Sequence, residues 1–323
     1  MNPLRAKSEG GISVAETNQR NAYGATLVEL CSKNPNILVL DADLGGSTMG
    51  KMVEQALPQQ HIEMGIAEAN MVSVAGGLAS VGKIPFVNSF AVFATGRALD
   101  QIRQSISIGQ LNVKICGSSA GCSDFGDGAT HQAFEDIALM RVIPGMTVIV
   151  PADANEAAAA TRFMASTPGP MYIRLNRNSY QNVTEERAEF RFNDPFIVRE
   201  GTDVVVFACG IMTVKALEAA VRLSGRLSVR VVNVSTIKPL NREKVLALCS
   251  GVKGVVTAEE HSIIGGLGSA IAEALRRTRL PIEFVGVNDT FGSSAHSYSE
   301  LMDYLGLTAV RIAEAVESVC NEN

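Results

Sequence analysis

The chain has 323 residues, of which 46% are hydrophobic, 19% charged and 5% aromatic, and its formal net charge is −5. This composition is typical of a globular protein with an ample core, the length favours two domains, and the lack of basic runs argues against nucleic acid as a partner. The N-terminal residues lack the apolar core of a signal peptide, no apolar run is long enough to span a membrane, and the six cysteines form no Cys-x-x-Cys pair. We therefore expect a soluble, cytoplasmic protein with reduced thiols.

Short apolar runs alternate with Ala-rich stretches along the chain. The first half predicts strands over residues 36–43, 83–90, 112–119, 146–153 and 171–176, and helices over residues 68–82, 96–109 and 155–166. A polar stretch, 176–196, predicts a linker, and the second half predicts strands over residues 203–210, 229–234, 254–260 and 282–287. Unbroken apolar strands separated by helices favour parallel sheets covered on both faces. We expect an α/β fold with two doubly wound domains, at about residues 10–190 and 195–323.

Candidate ligand-binding groups follow several of the predicted strands. In open parallel sheets, ligands bind beyond the C-terminal ends of the strands. The residues predicted at those ends are Asp41, Asp43, Phe90, Phe93, Ser118, Ser119, Arg174 and Arg177. The segment DFGDGATHQ, residues 124–132, follows the strand over 112–119 and is expected at the same edge.

This segment allows three interpretations. The tripeptide Asp-Phe-Gly also occurs in protein kinases, where its Asp binds a metal ion. This sequence, however, has neither the Val-Ala-Ile-Lys nor the His-Arg-Asp motif that a kinase needs. Gly126-Asp127-Gly128 followed by Asn155 fits the spacing of a metal and diphosphate anchor. Asn155, however, stands where a helix begins, which predicts an ordinary helix cap. The third interpretation is a loop that contacts a sugar substrate.

A series of motifs decides among them. The chain contains, in order, GIAEANMVSVAGGLA (65–79), FVNSFAVFATGRALDQIR (86–103), FGDGATHQAFEDIALMRVIPGMTVIVPADANE (125–156), VVNVSTIKPLN (231–241), AEEHSIIGGLGSAIAEAL (258–275) and FGSSAHSYSELMDYLGLT (291–308). Together they resemble the pyrimidine-binding and C-terminal domains of the transketolase family, over nearly the whole chain. In that family the Asp-Gly-x-Thr-His-Gln loop contacts the sugar, so the resemblance favours the third interpretation.

The resemblance also implies a partner. A full-length transketolase is about twice as long, and its N-terminal half binds the cofactor diphosphate and the metal ion. This chain resembles the C-terminal half encoded separately, the B subunit of a split transketolase. The resemblance implies thiamine diphosphate as cofactor, Mg²⁺ or Ca²⁺ held by an N-terminal (A) subunit, no metal ligand in this chain, and an α₂β₂ assembly. It also implies transfer of a two-carbon ketol unit from a ketose, expected to be phosphorylated, to an aldose.

Four residues match cofactor-binding positions of the family. Glu68 matches the catalytic Glu that hydrogen-bonds N1′ of the aminopyrimidine ring, Phe90 and Phe93 match aromatic positions around that ring, and Asp43 matches an acid near the thiazolium. The alternatives are a helix-terminal carboxylate for Glu68, ordinary core for the two phenylalanines, and strand-end hydrogen bonding for Asp43. A third aromatic position of many transketolases is Gly96 here, so the stacking wall is expected to be thinner or completed by another residue.

The sugar loop supplies two further matches and one departure. Asp127 and His131 match sugar-contacting positions, and His131 is also a candidate for catalytic proton transfer because imidazole titrates near neutral pH. Many transketolases carry a His eight residues before the substrate Asp, where this chain has Ser119. A serine hydroxyl is a smaller hydrogen-bond donor than an imidazole. We therefore expect the ketose substrate to be a less common sugar.

Three residues match the phosphate contacts of the family. These are Arg20, Ser47 and Arg177, with Arg174 as the competing candidate for Arg177. A guanidinium offers a fork of charged donors that suits phosphate oxygens. The glycine run over 265–269 lacks the third glycine of a dinucleotide motif and predicts a tight turn. His261 and His296 receive no role.

Other functions stay open at this point. The β subunit of a 2-oxoacid dehydrogenase has a similar length, two similar domains and the same type of Glu, and a deoxyxylulose-phosphate synthase-like enzyme has a related Asp-Gly-Ala-Thr-His loop. An inactive regulatory or assembly subunit would keep the fold without turnover. A stand-alone sugar-binding protein would bind sugar without thiamine diphosphate.

Overall fold

A computed structural model describes residues 16–321 of the protein. Residues 10–15 of the first predicted domain and 322–323 of the second therefore lie outside the described residues, and the predicted boundaries at 190 and 195 stay a prediction. Within 16–321, no helix combines the length and the apolar character needed to cross a membrane.

The described chain contains fourteen strands. They are β1 (Glu16–Asn18), β2 (Ile37–Asp41), β3 (His61–Glu63), β4 (Ile84–Phe90), β5 (Lys114–Ser118), β6 (Thr147–Ile149), β7 (Met171–Arg174), β8 (Ser179–Gln181), β9 (Phe196–Arg199), β10 (Val204–Ala208), β11 (Val229–Asn233), β12 (Thr236–Lys238), β13 (Gly254–Ser262) and β14 (Ile282–Val287).

The helices alternate with these strands. They are α1 (Gln19–Lys33), α2 (Gly45–Thr48), α3 (Lys51–Ala56), α4 (Glu68–Ser80), α5 (Leu99–Gln101), α6 (Asp136–Val142), α7 (Ala154–Ser166), α8 (Met212–Arg222), α9 (Arg242–Leu248), α10 (Leu267–Leu275), α11 (Tyr298–Tyr304) and α12 (Ala309–Asn321). Helix α5 is flanked by π-helical turns over Phe93–Arg97 and Ile102–Ser107, and short 3₁₀ turns cover Pro58–Gln60 and Gly128–Thr130.

Two sheets organise the fold. The first has the order β12-β6-β7-β5-β4-β2-β3 and the second the order β14-β13-β10-β11-β9. All neighbouring strands in them are parallel except the pairs β12 with β6 and β9 with β11. The central strands are buried on both faces, which is why their sequences are apolar without alternation. The predicted α/β class with two doubly wound sheets is confirmed.

The two sheets are joined more closely than the sequence indicates. Strand β12 follows the predicted linker in the chain but pairs with β6 at the edge of the first sheet, with Thr236 opposite Ile149. One buried apolar cluster also includes Val148 from the first sheet and Val205 and Val232 from the second. Strands β1, β3, β8, β9 and β12 have three or four residues each, too short to give a periodic signal, and the sequence did not predict them.

A buried arginine links the two sheets. Arg174 Nε lies 2.8 Å from Asp136 Oδ2, and its Nη2 donates to the main-chain oxygens of Ala133 (3.2 Å) and Glu260 (2.7 Å). Its Nη1 is 3.6 Å from Glu260 Oε2, and all three ionic side chains are buried. Burial opposes the charge of Arg174, but the nearby Asp136 and Glu260 carboxylates raise its pKa. The guanidinium is therefore used inside the fold, which argues against Arg174 as the substrate-binding alternative to Arg177.

Removing this guanidinium should strongly destabilise the fold. In Arg174→Met, Asp136 and Glu260 lose their buried cation, and we expect a loss of about 3–5 kcal/mol in the free energy of unfolding, measured by urea denaturation. The matched control is Arg226→Met, which removes an exposed ion pair with Glu317 and should cost less than about 1 kcal/mol. Equal, small losses in both variants would contradict this role of Arg174.

Candidate active site

The two ends of the predicted sugar loop are held together by hydrogen bonds. Gly121 and Ala133 face each other in an antiparallel bridge, with the Gly121 N–H donating to the Ala133 oxygen at 3.0 Å. The Cys122 N–H donates to Glu260 Oε1 at 3.0 Å, and Arg174 holds the Ala133 oxygen. Gly121 has φ +61°, and a Cβ there would lie 2.4 Å from Glu260 Cδ. The loop over 121–133 is thus anchored at both ends by the network that joins the sheets.

The second half of the chain also supports the middle of this loop. The Gln132 side chain donates to the Ser293 oxygen at 2.9 Å, and the Ala295 N–H donates to the Phe125 oxygen at 2.9 Å. The motif FGSSAHSY therefore braces the sugar loop. This contact gives the C-terminal residues a direct link to the candidate site, which the sequence did not indicate.

Glu68 lies in an aromatic cluster, which we define as Glu68, Phe90, Phe93, Arg97 and His131. Glu68 begins α4, its side chain is 1% exposed, and its Oε2 lies 2.9 Å from Arg97 Nη1. The Arg97 guanidinium lies over the Phe93 ring, 4.7 Å from its centroid. Phe90 and Phe93 stack with centroids 6.1 Å apart, and the His131 ring meets Phe93 at 5.4 Å, nearly perpendicular to it. The structure thus brings four predicted site residues together.

Gly96 leaves one side of the Phe93 ring to Arg97. Gly96 is exposed in the π-helical turn over Phe93–Arg97, and a Cβ there would meet no atom within 4 Å. No side chain at position 96 therefore covers the ring of Phe93. Arg97 covers it instead, so the stacking wall is completed by a cation and not by a third aromatic ring.

A second group, the charged cluster, consists of Arg20, Arg177, Asp124 and Asp127. Arg20 Nη1 donates to the Ser47 main-chain oxygen at 3.1 Å, and Arg177 Nη1 lies 2.8 Å from Asp124 Oδ2. Burial and the positive charge of Arg177 lower the pKa of Arg20, so the two guanidinium groups interact. Arg20 Nε is buried and has no hydrogen-bond partner within the described residues. The three predicted phosphate contacts therefore converge.

Asp124 was not predicted as a site residue, although it opens the segment DFGDGATHQ. Its side chain is only 6% exposed. Burial raises the pKa of Asp124, the charge of Arg177 lowers it, and the neighbouring Asp127 carboxylate raises it again. Asp127 itself is exposed. The predicted sugar contact Asp127 therefore belongs to the charged cluster, and His131, four residues later, belongs to the aromatic one.

Asp43 stands apart from both clusters. It is exposed, and its N–H donates to Glu63 Oε1 at 2.8 Å. The other acid of this strand end, Asp41, is fully buried and accepts from Thr48 Oγ1 at 2.6 Å and contacts His61 Nε2 at 2.9 Å. Asp41 thereby shapes the loop after β2, and the role predicted for Asp43 stays a prediction.

Ser119, the departure from the family pattern, is fully buried. Its φ is +51°, in the left-handed region, and its hydroxyl has no hydrogen-bond partner within the described part of the chain. The neighbouring Ser118 hydroxyl is also buried and unpaired. Left-handed residues that are not glycine concentrate at functional sites, and Asp43 (φ +57°) is a second example at the same sheet edge.

The predicted role of Asn155 as a helix cap is wrong. Helix α7 begins at Ala154, and its cap is Asp153, whose Oδ1 accepts from the Glu156 N–H at 2.9 Å. Asn155 lies in the first turn, and its amide donates to the Thr184 oxygen at 2.9 Å. The sequence Asp-Ala-Asn offered two capping residues, and Asp153 prevails because it also accepts from the N–H groups of Val183 and Thr184, both at 2.7 Å. Among residues 16–321, no group of three or more His, Cys, Asp or Glu could hold a metal ion.

The glycine run over 265–269 forms the turn into α10. The N-terminus of this helix is occupied by the buried Glu259 side chain, which accepts from the N–H groups of Leu267 (2.6 Å) and Gly268 (2.7 Å). His261 is fully buried beside it. An internal carboxylate thus takes the position that a nucleotide phosphate would need.

Comparison with known proteins identifies both halves of the chain. Residues 15–183 match the family described as transketolase, pyrimidine binding domain, and residues 196–312 match transketolase, C-terminal domain. The chain belongs to the transketolase family. Its predicted resemblance is confirmed, and the transketolase family implies dependence on thiamine diphosphate.

Individual transketolase relatives agree with this assignment. The chain is 43% identical to a 6-deoxy-6-sulfo-D-fructose transketolase subunit of Clostridium sp. strain MSTE9, over 93% of this chain and 94% of that protein. It is 34% identical to human transketolase over 93% of this chain but only 48% of that protein. A solved structure described as a split gene transketolase, inactive β4 tetramer, matches with a TM-score of 0.85 and 45% identity, over 97% of this chain and 99% of that one.

The buried Asp41–His61 pair predicts a pH-dependent stability. The hydrogen bond to Asp41 raises the pKa of His61 above 6.5, although burial opposes this. The ionic stabilisation should therefore be complete below about pH 6.5 and disappear as the pH rises through the higher pKa of the folded state. The difference in urea midpoint between the native chain and His61→Gln should shrink over that range. His296→Gln, at an exposed position, controls for loss of an imidazole, and a constant difference for His61→Gln would contradict the expectation.

Proposed function

We propose that this chain is the B subunit of a two-subunit, thiamine diphosphate-dependent transketolase. With its partner it transfers a two-carbon ketol unit from a ketose to an aldose. The observation that carries the proposal is the buried Glu68 carboxylate at the start of α4, beside Phe93 and facing a cation that stacks on that ring. Family membership and the sugar loop next to this cluster support the same reaction.

The aromatic cluster fits the aminopyrimidine ring of the cofactor. A guanidinium is a planar cation with N–H donors, and Arg97 uses it to stack on Phe93 and to donate to Glu68. A protonated aminopyrimidine is also planar and cationic and can make the same two contacts. Arg97 is 51% exposed and can turn toward solvent without opening the core. Phe90, Phe93 and Glu68 would then hold the ring.

Each residue of this chain has a distinct part in the proposed reaction. Thiamine diphosphate, when bound, would supply the chemistry for breaking and forming bonds at carbonyl carbons. Glu68 would share a proton with N1′ of the aminopyrimidine, and the surrounding burial keeps water from that proton. His131, held by its edge against Phe93, would hydrogen-bond the sugar near its carbonyl and move a proton there. Asp127 would accept from a sugar hydroxyl.

The far end of the ketose would lie at the charged cluster. Arg20 and Arg177 offer guanidinium donors, and both side chains are partly exposed. These groups suit a terminal anionic group, either a phosphate or a sulfonate. One relative is described as acting on 6-deoxy-6-sulfo-D-fructose and another, 33% identical, on apulose 4-phosphate, so both chemistries occur among similar proteins.

The other half of the site would come from an A subunit. The chain aligns over 94% of a relative described as a transketolase subunit, which supports a second polypeptide that holds the diphosphate and Mg²⁺ or Ca²⁺. The related split gene transketolase is described as an inactive tetramer of β chains. We propose an α₂β₂ complex as the active form. All six cysteines are free thiols, which supports a cytoplasmic location.

Replacing Glu68 tests this mechanism. In the complex with the A subunit, Glu68→Gln should lower the rate of ketol transfer by about 10²–10⁴-fold, because proton sharing with N1′ is lost. Assembly, measured by size-exclusion chromatography, should be unchanged, and Glu29→Gln on the surface of α1 is the matched control. Near-normal turnover of Glu68→Gln would refute the mechanism.

Activity assays with the same complex distinguish the competing enzyme classes. Ketol transfer between a ketose and an aldose is expected, without decarboxylation of pyruvate. Decarboxylation in place of ketol transfer would assign the chain to the 2-oxoacid dehydrogenase or deoxyxylulose-phosphate synthase type. A complex that binds sugar but turns over neither substrate would point to an inactive or sugar-binding subunit.

A further inference from the structure

The charged cluster contains its own counter-charge. Its two guanidinium groups carry two positive charges, but Asp124 forms an ion pair with Arg177 at 2.8 Å. Asp124 is almost fully buried, so solvent screens its charge only weakly. Asp127 adds a second carboxylate that interacts with Asp124. Two guanidinium and two carboxylate charges sum to zero, and because Asp127 is exposed and screened by solvent, the site presents a net charge between about zero and about one positive charge to a ligand.

The two anions that fit these donors differ in charge. A phosphate monoester carries about −1.5 to −2 at neutral pH, because its second pKa is about 6. A sulfonate has the same three terminal oxygens, is a strong acid and carries a single negative charge. A doubly charged group next to the Asp124 carboxylate meets like-charge repulsion, whereas a singly charged group meets about half of that repulsion.

We infer that Asp124 makes this site selective for a ketose with a terminal sulfonate over the matching ketose phosphate. This inference rests on the proposed function and adds the charge class of the donor. Asp124 is a specificity-determining residue in this account, since it acts on the anion through the electrostatics of Arg177 and of the buried surroundings.

Arg20 and Arg177 differ in how far acidic groups compensate their charge. Arg177 is engaged by Asp124, whereas Arg20 donates to a main-chain oxygen and keeps its buried Nε without a partner in the described chain. Arg20 is thus the cation least compensated by acidic groups. It can neutralise one negative charge on the ligand, and Arg177 then orients the anion without adding a full second charge.

Two ketose substrates that differ in their terminal anion test the inference. In the complex with the A subunit, kcat/KM is measured for 6-deoxy-6-sulfo-D-fructose and for D-fructose 6-phosphate with one common acceptor aldose. The native complex should prefer the sulfonate by at least about tenfold. Asp124→Asn keeps the size and the hydrogen-bond acceptor but removes the charge, and should reduce this ratio by about tenfold, mainly through a lower KM for the phosphate.

The control and the binding measurement separate the possible failures. Glu314→Gln removes a carboxylate from an exposed ion pair with Arg311 and should leave the ratio unchanged. A native preference for the phosphate, or the same ratio in Asp124→Asn, would overturn the inference. If Asp124→Asn does not fold, the native preference still decides.

Calorimetric binding of both ketoses to the complex without thiamine diphosphate and without acceptor involves no ketol transfer. A sulfonate preference in binding without ketol transfer would refute the proposed function and keep the inference, whereas ketol transfer with a phosphate preference would do the opposite.

Discussion

The burial of one guanidinium, that of Arg174, is the interaction on which the rest of the structure depends. A buried cation is tolerated only when carboxylates and carbonyls surround it, and here the carboxylates come from both halves of the chain, from Asp136 at the start of α6 and from Glu260 in β13. Glu260 and Arg174 also hold the two ends of the sugar loop, because Glu260 accepts from the Cys122 N–H and Arg174 donates to the Ala133 oxygen. A single network therefore fixes both the junction between the sheets and the position of the candidate site. Through this network the second half of the chain contributes to the site, although its residues are remote from the proposed chemistry.

The candidate site consists of two clusters connected by one loop. Asp127 lies in the charged cluster and His131 in the aromatic cluster, so a substrate along this loop would have its anionic end near Arg177 and its reactive end near Phe93. Both clusters already contain an internal ligand: Arg97 makes the contacts that suit an aminopyrimidine, and Asp124 accepts from a guanidinium that suits an anion. Such internal pairing stabilises buried charges in the absence of ligands, and its strength determines which ligand charge can replace or join it.

The sequence predicted the fold class and the sheet edge that carries the site, because long apolar strands and family motifs are local signals. It predicted the residues of the aromatic cluster except Arg97, whose place depends on the π-helical turn around Gly96. It did not predict the Arg177–Asp124 ion pair, which joins residues distant in the chain, or strand β12, which is too short to have a period. Asn155 was misassigned because two capping residues compete within three positions, and tertiary hydrogen bonds to Asp153 decide between them.

The central claim is that this chain carries the pyrimidine half of a cofactor site whose other half lies in another polypeptide. The most direct test is a calorimetric titration of thiamine diphosphate with Mg²⁺ into the purified chain and into its mixture with the A subunit. The account predicts weak or no binding by the chain alone and tight, metal-dependent binding by the mixture. Tight binding of cofactor and Mg²⁺ by the chain alone would contradict it, and would return Gly126-Asp127-Gly128 to consideration as a metal site.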